Sequence, residues 1–392
     1  MSTLPITAPL GLARAGYGLD GLLCLAAFSL LGTGLMMVAS ASVAVAEKST
    51  GVPLYYFYKQ TGFAVLGVML AALVYAVPIR NWESSGFWLL TLAFLLLLLV
   101  LIPGIGVKVN HARRWLDFGL FRLQASEPAR LAIVLYLVGY VTRRRAELQN
   151  SFRGLVKPLV PVVLAGMLLM LEPDFGATAL LLTVTMLVLF LAGARLLHLL
   201  VLAGVAGVTL TGLVMSASYR MQRLMSFTDP FADIENGGWQ LAQSLIAIGR
   251  GEWTGVGLGN SVQKLLYLPE THTDFIFAIW AEEFGLLGVV VLMAMFALLV
   301  SRAFRIGNNA EIRGQYFPAH LCYAIGGWIG LQVLINIAVN MGLLPTKGLT
   351  LPLLSYGGSS LITVCLMVAL LLRVDHENRL AHATSPAGGL RL

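Results

Sequence analysis

Carboxylates mark the segment in which a long apolar run begins, and they are the groups best suited to acid–base chemistry. Asp274 and Glu282 are eight residues apart, so on one helix their side chains lie two turns apart and about 80° from one another. Burial raises the pKa of a carboxylate and a nearby cation lowers it, so such a pair can be tuned to accept a proton. The competing interpretation of Asp274 is a helix cap assisted by Thr271 and Thr273. We expect Asp274 to carry the chemistry.

Glu270 and His272 lie directly upstream of Asp274 and are candidate substrate contacts. No second His or Cys stands at ligand spacing from His272, so a metal site built on it is not expected. The three cysteines fall inside apolar runs without CxxC spacing. This placement predicts packing residues rather than a metal site or a disulfide framework.

Basic residues form a second candidate site in the segment 104–125, which includes Lys108, Arg113 and Arg114. Arginine suits bidentate contacts with phosphate, whereas the alternative role is snorkelling to lipid headgroups. We predict that the Arg113–Arg114 pair binds an anionic group, and both interpretations stay open for Lys108. Lys347, shortly before the last apolar run, is a further candidate for anion binding.

Three more polar residues stand where apolar runs begin or end. Glu127 either stabilises the positive end of a helix dipole or contacts substrate. Asp174 follows Pro173 in a tight turn, where it caps the next helix, contacts substrate, or does both. Ser355 is a candidate contact in a stretch of hydroxyls and glycines, whose small residues alternatively serve close helix packing.

The composition requires a bilayer as solvent, because 58% of the 392 residues are hydrophobic and 11% are charged, against about a quarter charged in soluble domains. Each crossing of a core roughly 30 Å thick needs about 20 apolar residues in a helix that satisfies its own backbone. The predicted spans are 19–46, 56–79, 86–103, 126–142, 155–171, 175–194, 195–216, 273–301, 316–341 and 351–373.

The predicted fold is all-α: a polytopic membrane protein with about ten transmembrane helices. A cytoplasmic tail (1–18) precedes a membrane domain (19–373), and a second cytoplasmic tail (374–392) follows it. A large extracytoplasmic loop, about 217–272, separates helices 7 and 8 and is expected to be ordered and partly re-entrant. The first run is too long for a signal-peptide core and is expected to stay uncleaved.

The net charge of +7 reflects an excess of basic residues on one face of the membrane and does not indicate a nucleic-acid-binding surface. Basic residues outnumber acidic ones on the face that carries both termini, whereas the opposite face is nearly balanced. The positive-inside rule therefore places both termini in the cytoplasm. The candidate acids and cations gather on the opposite, outer face, and no internal repeat of the kind found in carriers is evident.

Several motifs in the same order resemble the SEDS (shape, elongation, division and sporulation) family of bacterial cell-wall proteins across nearly the whole membrane region. The motifs are NHARRWL (110–116), QASEPAR (124–130), EPDFGAT (172–178), RLMSFTDPFAD (223–233), the stretch 238–276 and LPTKGLTLPLLSYGGSS (344–360). Lys347 and the first-helix stretch MMVASAS are similar to the division-type branch. Departures from the family pattern include His111, Ala125, Arg130 and Glu252.

The resemblance implies a peptidoglycan glycosyltransferase that joins lipid II units into β-1,4-linked glycan and releases undecaprenyl diphosphate. It implies that Asp274 is the base, that Lys108, Arg113, Arg114 and Lys347 contact diphosphate or sugar, and that Glu127 and Asp174 orient sugars or cations. No cofactor is certain, although a divalent cation would assist the diphosphate. Other expected partners are membrane lipid, a class B penicillin-binding transpeptidase of the FtsI type and further division proteins, at the septum of the bacterial inner membrane. A lipid II flippase and a noncatalytic scaffold are the alternatives.

Overall fold

The structure, a computed structural model, describes residues 18–109, 112–119, 121–215, 227, 229–231, 238–345 and 348–384. Lys347, His111, almost all of the predicted N-terminal tail and residues 385–392 of the predicted C-terminal tail lie outside the described residues. Most of the described chain is helical. The helices are α1 (Gly21–Thr50), α2 (Tyr55–Ala76), α3 (Ile79–Ser84), α4 (Gly86–Leu101), α5 (Ser126–Arg143), α6 (Arg145–Asn150), α7 (Phe152–Leu171), α8 (Phe175–Leu191), α9 (Leu196–Met215), α10 (Trp239–Arg250), α11 (Ile276–Ile312), α12 (Tyr316–Asn340) and α13 (Gly358–Thr384).

Within the described part, 6 helices are long and apolar enough to cross a membrane, namely α1, α2, α7, α11, α12 and α13. Three shorter apolar helices are α4, α8 and most of α9. Helix α5 differs because it buries ionisable groups, Glu127 and Arg130, in its first turns and packs its apolar residues inside the protein. The chain is therefore a largely helical membrane protein, and the count of ten crossings stays a prediction.

The all-α class is wrong for the segment 104–125, which contains a small antiparallel sheet. Its strands are β1 (Gly106–Val109), β2 (Ala112–Asp117) and β3 (Arg122–Gln124), in the order β1-β2-β3. Val107 lies opposite Trp115, and Trp115 opposite Gln124. Alternating β-branched, aromatic and charged residues favour a strand with two different faces. The predicted all-α fold has no sheet in this segment, so the three strands are a correction to it.

Helix α11 is interrupted at Gly285, whose backbone lies in the left-handed region (φ 62°, ψ −164°). Four backbone hydrogen bonds of 2.9–3.1 Å join residues 252–257 to residues 282–287 across this interruption. A Cβ added at Gly285 would lie 2.4 Å from the backbone nitrogen of Gly255, so a larger residue does not fit. The predicted large loop thus contains ordered structure, with helix α10 and the segment 252–257 docked against the start of α11.

The helix bundle depends on close backbone approaches in its interior. A Cβ at Gly326 in α12 would come within 2.9 Å of the Ala303 side chain in α11, which identifies small residues as the packing contact between these helices. The predicted packing role of the cysteines agrees with the structure: all three are free, and Cys322 and Cys365 are buried. Helix α13 continues to Thr384, beyond the predicted end of its span at residue 373.

Candidate active site

Asp274 lies two residues before α11, and its backbone is held by the neighbouring helix. The side-chain amides of Asn336 and Asn340 in α12 donate to its carbonyl oxygen, at 3.1 and 3.0 Å. Its carboxylate makes no hydrogen bond to the described residues, and a Cβ on Gly348 would lie 3.1 Å from Oδ2. The capping alternative is wrong, because the residue at the cap position of α11 is Phe275, which makes no side-chain cap. The backbone of Asp274 is therefore fixed, while its carboxylate has no hydrogen-bond partner among the described residues.

The surroundings of Asp274 make it a stronger base than an ordinary aspartate. Burial, together with the negative charges of Glu270 and Asp174, raises the pKa of its carboxyl to about 7 against the opposing effect of the Arg114 cation. A carboxyl with a pKa near the working pH is well matched to general base catalysis. Glu270 itself is exposed, with φ 57°, and its carboxylate accepts a 2.6 Å hydrogen bond from the Thr273 hydroxyl.

Asp174 performs the capping role that its turn predicts. Its Oδ1 accepts a 3.1 Å hydrogen bond from the Ala177 amide in the first turn of α8. Its Oδ2 accepts from Gln124 Nε2 and Ser126 Oγ, each at 3.4 Å. The same side chain therefore caps a helix, ties the sheet to α5 and contributes negative charge at Asp274.

The adjacent arginines of β2 have different surroundings. Arg114 donates from Nε to the Glu172 carbonyl at 3.1 Å and from a terminal nitrogen to the Pro173 carbonyl, so it fastens the sheet to the α7–α8 turn. The strand register shifts between Val107 and Lys108, which leaves Arg114 as the extra, bulged residue of β2 between Arg113 and Trp115. Lys108 of β1 is paired in register with Arg113, so these two cations share one face. The two members of the predicted Arg113–Arg114 pair therefore differ in their contacts: Arg114 donates to backbone carbonyls, whereas Arg113 lies opposite Lys108 in the sheet.

Glu127 is buried and paired with a cation of its own helix. A terminal nitrogen of Arg130 donates to Glu127 Oε1, and the guanidinium of Arg130 lies 5.4 Å from the ring centroid of Trp328. Glu127 occupies the first turn of α5, where an acid also favours the helix dipole. The ion pair with Arg130 and the position at the start of α5 therefore explain why Glu127 is buried. Arg130 is one of the departures from the family pattern.

His272 and Ser355 form part of the wall around the site. The buried His272 ring lies 4.5 Å from the ring of Tyr56 and 5.5 Å from that of Tyr356, and burial lowers the pKa of its imidazole. The Ser355 hydroxyl accepts a 2.8 Å hydrogen bond from the Leu351 amide. Both side chains therefore shape the site through packing and turn geometry.

Glu282 and Asp274 do not form the predicted pair on one helix, because Asp274 lies before α11 and Glu282 anchors the preceding loop. It is fully buried and accepts from Arg250, from the Ser261 hydroxyl and from the Val262 amide. The interruption at Gly285 and the loop packed against it supply these partners. None of them is visible from helical periodicity.

Glu172 is the acid that the sequence-based analysis did not select. It is buried, and neither carboxylate oxygen has a hydrogen-bond partner among the described residues. Burial, together with the negative charge of Asp174, raises the pKa of its carboxyl to about 8 against the opposing effect of the Arg114 cation. The only signal in the sequence was an acid directly before the Pro173 turn.

Among the described residues, no group of three or more His, Cys, Asp or Glu side chains is arranged to hold a metal ion. A divalent cation at Asp274 would therefore need most of its oxygen ligands from a bound diphosphate or from water. The described side chains do not form a cage for it.

These features define a membrane-embedded protein with a carboxylate of raised pKa just outside its helices and a cationic sheet in the same region. The sequence matches the family model described as "Cell cycle protein", that of FtsW, RodA and SpoVE, over residues 21–380. The chain therefore belongs to the FtsW/RodA/SpoVE family.

Named relatives share much of this sequence. A probable peptidoglycan glycosyltransferase FtsW of Nitrosococcus halophilus is 54% identical over 90% of this chain and 91% of its own length. That of Coxiella burnetii is 46% identical, over 92% of this chain and 97% of its own.

Solved structures share the fold. A chain from a study of polymerisation and crosslinking by a peptidoglycan synthase complex matches with a TM-score of 0.76 and 28% identity, over 92% of this chain and 98% of that one. The rod shape determining protein RodA of Thermus thermophilus matches with a TM-score of 0.67 and 27% identity, over 95% and 99% of the two chains.

Proposed function

We propose that this chain is a peptidoglycan glycosyltransferase that polymerises lipid II during septal cell-wall synthesis. The observation that carries the proposal is the Asp274 carboxylate, which is raised in pKa to about 7 and has no hydrogen-bond partner among the described residues. Relatives 46–54% identical are named as probable peptidoglycan glycosyltransferases, which supports the same reaction.

In the proposed reaction, Asp274 accepts the proton of the attacking sugar hydroxyl. The hydroxyl oxygen forms the new glycosidic bond while the bond between the donor sugar and its diphosphate breaks, and undecaprenyl diphosphate leaves with the electron pair. A base positioned by backbone contacts, such as the two amides on the Asp274 carbonyl, suits this step because its geometry is set before substrate binds.

The leaving diphosphate requires positive charge. Lys108 and Arg113 are proposed to supply it, since they are paired across β1 and β2 and like charges at such positions are costly without a counterion. Lys347 is proposed as a further contact. Arg114, Glu127, Asp174, His272 and Ser355 are proposed to position the site rather than to bind the diphosphate directly, because each is engaged in a protein contact. Dependence on a divalent cation stays a prediction.

We further propose ten membrane crossings with both termini in the cytoplasm, in the bacterial inner membrane at the division septum. The charge asymmetry of the sequence supports this topology. A crosslinking transpeptidase of the class B penicillin-binding type is the proposed partner, since one structural relative comes from a complex that coordinates polymerisation and crosslinking.

A lipid II flippase and a noncatalytic scaffold are the alternative functions. Carriers place their polar binding groups near the middle of the membrane, whereas Asp274, Asp174 and the β1–β3 sheet lie before or between the membrane helices. This location favours an enzyme that meets the headgroup of a lipid-linked substrate at the membrane surface.

Reconstitution discriminates between these functions. The purified protein, with its transpeptidase partner, is placed in vesicles with labelled lipid II, and both glycan polymer and lipid II translocation are measured. We expect polymer that grows with time. Translocation without polymer would favour the flippase, and neither activity would favour the scaffold.

A further inference from the structure

A charged pocket lies at the end of the molecule opposite Asp274, between the last turns of α11 and α13. It has a volume of about 250 Å³, room for about eight water molecules at about 30 Å³ each. Its lining includes Arg302 and Arg313 from the α11 side and Arg379 and His382 from α13. One carboxylate, Asp375, also lines it.

The carboxylates in and beside this pocket leave part of its positive charge uncompensated. Arg302 is paired with Asp20, the cap of α1, and Arg379 with Asp375 at 2.6 Å. Arg313 donates to a neutral group, the carbonyl of Asn378. A guanidinium carries five donors in a fixed fork, so these contacts leave donors on all three arginines for an anion.

Asn378, also in the lining, is held to α11 by a side-chain hydrogen bond. Its Nδ2 donates to the Ile306 carbonyl at 3.2 Å, and its buried Oδ1 has no hydrogen-bond partner among the described residues. The groups that the pocket offers to a ligand are therefore its cationic donors, which match a phosphate group.

The lengths of the two helices that lead to the pocket place it at the level of the lipid headgroups. At 1.5 Å per residue, the helix from Leu286 to Arg302 rises about 24 Å and that from Gly358 to Asp375 about 26 Å. Both distances approach the roughly 30 Å thickness of the hydrocarbon core. Two helices thus reach the membrane surface together, and the pocket lies between their ends.

We propose that this pocket binds a phosphate group, supplied by the headgroup of an anionic lipid of the leaflet nearest the chain termini. Arg313 and Arg379 provide bidentate contacts to the phosphate, and His382 lies at the rim. The bound headgroup bridges α11 and α13 on the side of the membrane away from Asp274.

The test uses the full-length protein, stripped of lipid in neutral detergent, with bound molecules counted by native mass spectrometry. The probes are phosphatidylglycerol, phosphatidylcholine and inorganic phosphate. The variants are Arg313→Gln/Arg379→Gln and the charge-matched control Arg153→Gln/Arg305→Gln, whose arginines are exposed and outside the pocket lining. The single variant Arg313→Gln, which loses only a contact to a carbonyl, guards against misfolding of the pocket double variant.

We expect phosphatidylglycerol to bind the parent protein and the control alike, and the pocket double variant at least about tenfold more weakly, because two charge-assisted contacts are lost. Arg313→Gln should show a smaller loss. Binding of inorganic phosphate alone, with the same loss in the variants, supports a phosphate site that takes free phosphate. Equal binding by pocket and control variants, or equal binding of phosphatidylcholine, overturns the proposal.

Discussion

The backbone around Asp274, rather than its carboxylate, fixes its position. Two asparagine side chains of α12 hold its carbonyl oxygen, whereas no described residue hydrogen-bonds to the carboxylate. Burial and the negative charges of Glu270 and Asp174 raise the pKa of this carboxyl to about 7. The aspartate is therefore both oriented and basic, and its carboxylate is available to accept a hydrogen bond from a substrate hydroxyl.

The pH dependence of polymerisation should report this carboxyl. Because a base acts when deprotonated, the rate should fall about tenfold per pH unit below about 7 and level off above it. Glu270→Gln removes a neighbouring negative charge, so the pKa of Asp274 should fall and the acid limb should move to lower pH. Initial rates of lipid II polymerisation between pH 5 and 9 measure the midpoint. Glu47→Gln, which changes an exposed acid of α1 that is not among the charges acting on Asp274, is the control. Equal midpoints in both variants would contradict this electrostatic coupling.

Glu172 should make stability depend on pH. Its folded pKa is raised to about 8 from an ordinary value of 4.5, so the folded state binds the proton more tightly than the unfolded state. Its stabilisation is complete below pH 4.5 and is lost as pH rises towards 8. Glu172→Gln keeps the shape without ionising, so at pH 8 to 9 it should unfold at a higher temperature than the parent.

The difference in unfolding temperature between Glu172→Gln and the parent should shrink towards zero near pH 5. The corresponding difference in the free energy of unfolding is about 1.4 kcal/mol per unit of pKa change. Thermal unfolding in detergent at several pH values measures it. An unfolding temperature that differs equally at all pH values would mean that Glu172 acts through packing alone.

The sequence identified most of the acids in the site but not their roles. Asp174 could be predicted as a helix cap because the cap depends on residues three positions apart. Arg114 could not be assigned, since its partners are carbonyls 58 and 59 residues away. Glu127 likewise required Arg130 to be recognised as a buried partner rather than as a departure from a family pattern. Tertiary contacts, which leave no local periodicity, decided these roles.

At the scale of elements, a buried ion pair fixes the loop before α11. Lys264 Nζ lies 2.7 Å from Glu283 Oε1 and donates to the Ser40 hydroxyl at 2.9 Å. Ser40 in turn donates to Glu283. These contacts join α1, the loop and the first turns of α11 immediately after Asp274. The position of Asp274 therefore depends on a network at some distance from it.

Breaking this pair from one side should be more costly than replacing both members. Lys264→Met leaves a buried, unpaired carboxylate and should destabilise the protein by about 3–5 kcal/mol. The double variant Lys264→Met/Glu283→Met removes both charges and should recover a large part of that loss. Denaturant unfolding of Lys264→Met, Glu283→Met and the double variant measures the coupling between the two charges. A double variant as unstable as the sum of its single changes would show that the charges are not coupled.

A second element-scale feature is the left-handed conformation of Glu252 (φ 44°). The family resemblance implies glycine at this position, and glycine adopts positive φ without a steric cost. Glu252 lies in the segment hydrogen-bonded across the α11 interruption, so the conformation is maintained by its neighbours. The effect of this departure is therefore on the backbone, because the Glu252 side chain is exposed to solvent.

Across the whole molecule, apolar length predicted the helices well, because a bilayer leaves few alternatives to an internally hydrogen-bonded segment. The predicted span 126–142 coincides with α5 even though that helix buries Glu127 and Arg130. The β1–β3 sheet was missed because its strands are short and lie between membrane helices. The docked segment 252–257 was missed in detail, since it depends on the interruption at Gly285.

The topology can be tested by thiol labelling in a variant whose three native cysteines are replaced by alanine. A single cysteine at Glu47 should react with a membrane-impermeant maleimide in spheroplasts, because Glu47 ends α1 on the predicted outer face. A cysteine at Arg153 should react only after lysis. The reverse pattern would contradict cytoplasmic termini.

The most direct test of the whole account is polymerisation of lipid II by Asp274→Asn in complex with the transpeptidase partner. Asp117→Asn, which changes an exposed carboxylate of the β1–β3 sheet by the same single atom, is the matched control. We predict that Asp274→Asn polymerises at least about 100-fold more slowly, because it lacks the base, while the control keeps the parent rate. Polymerisation by Asp274→Asn at the parent rate would contradict the assignment of Asp274 as the catalytic base.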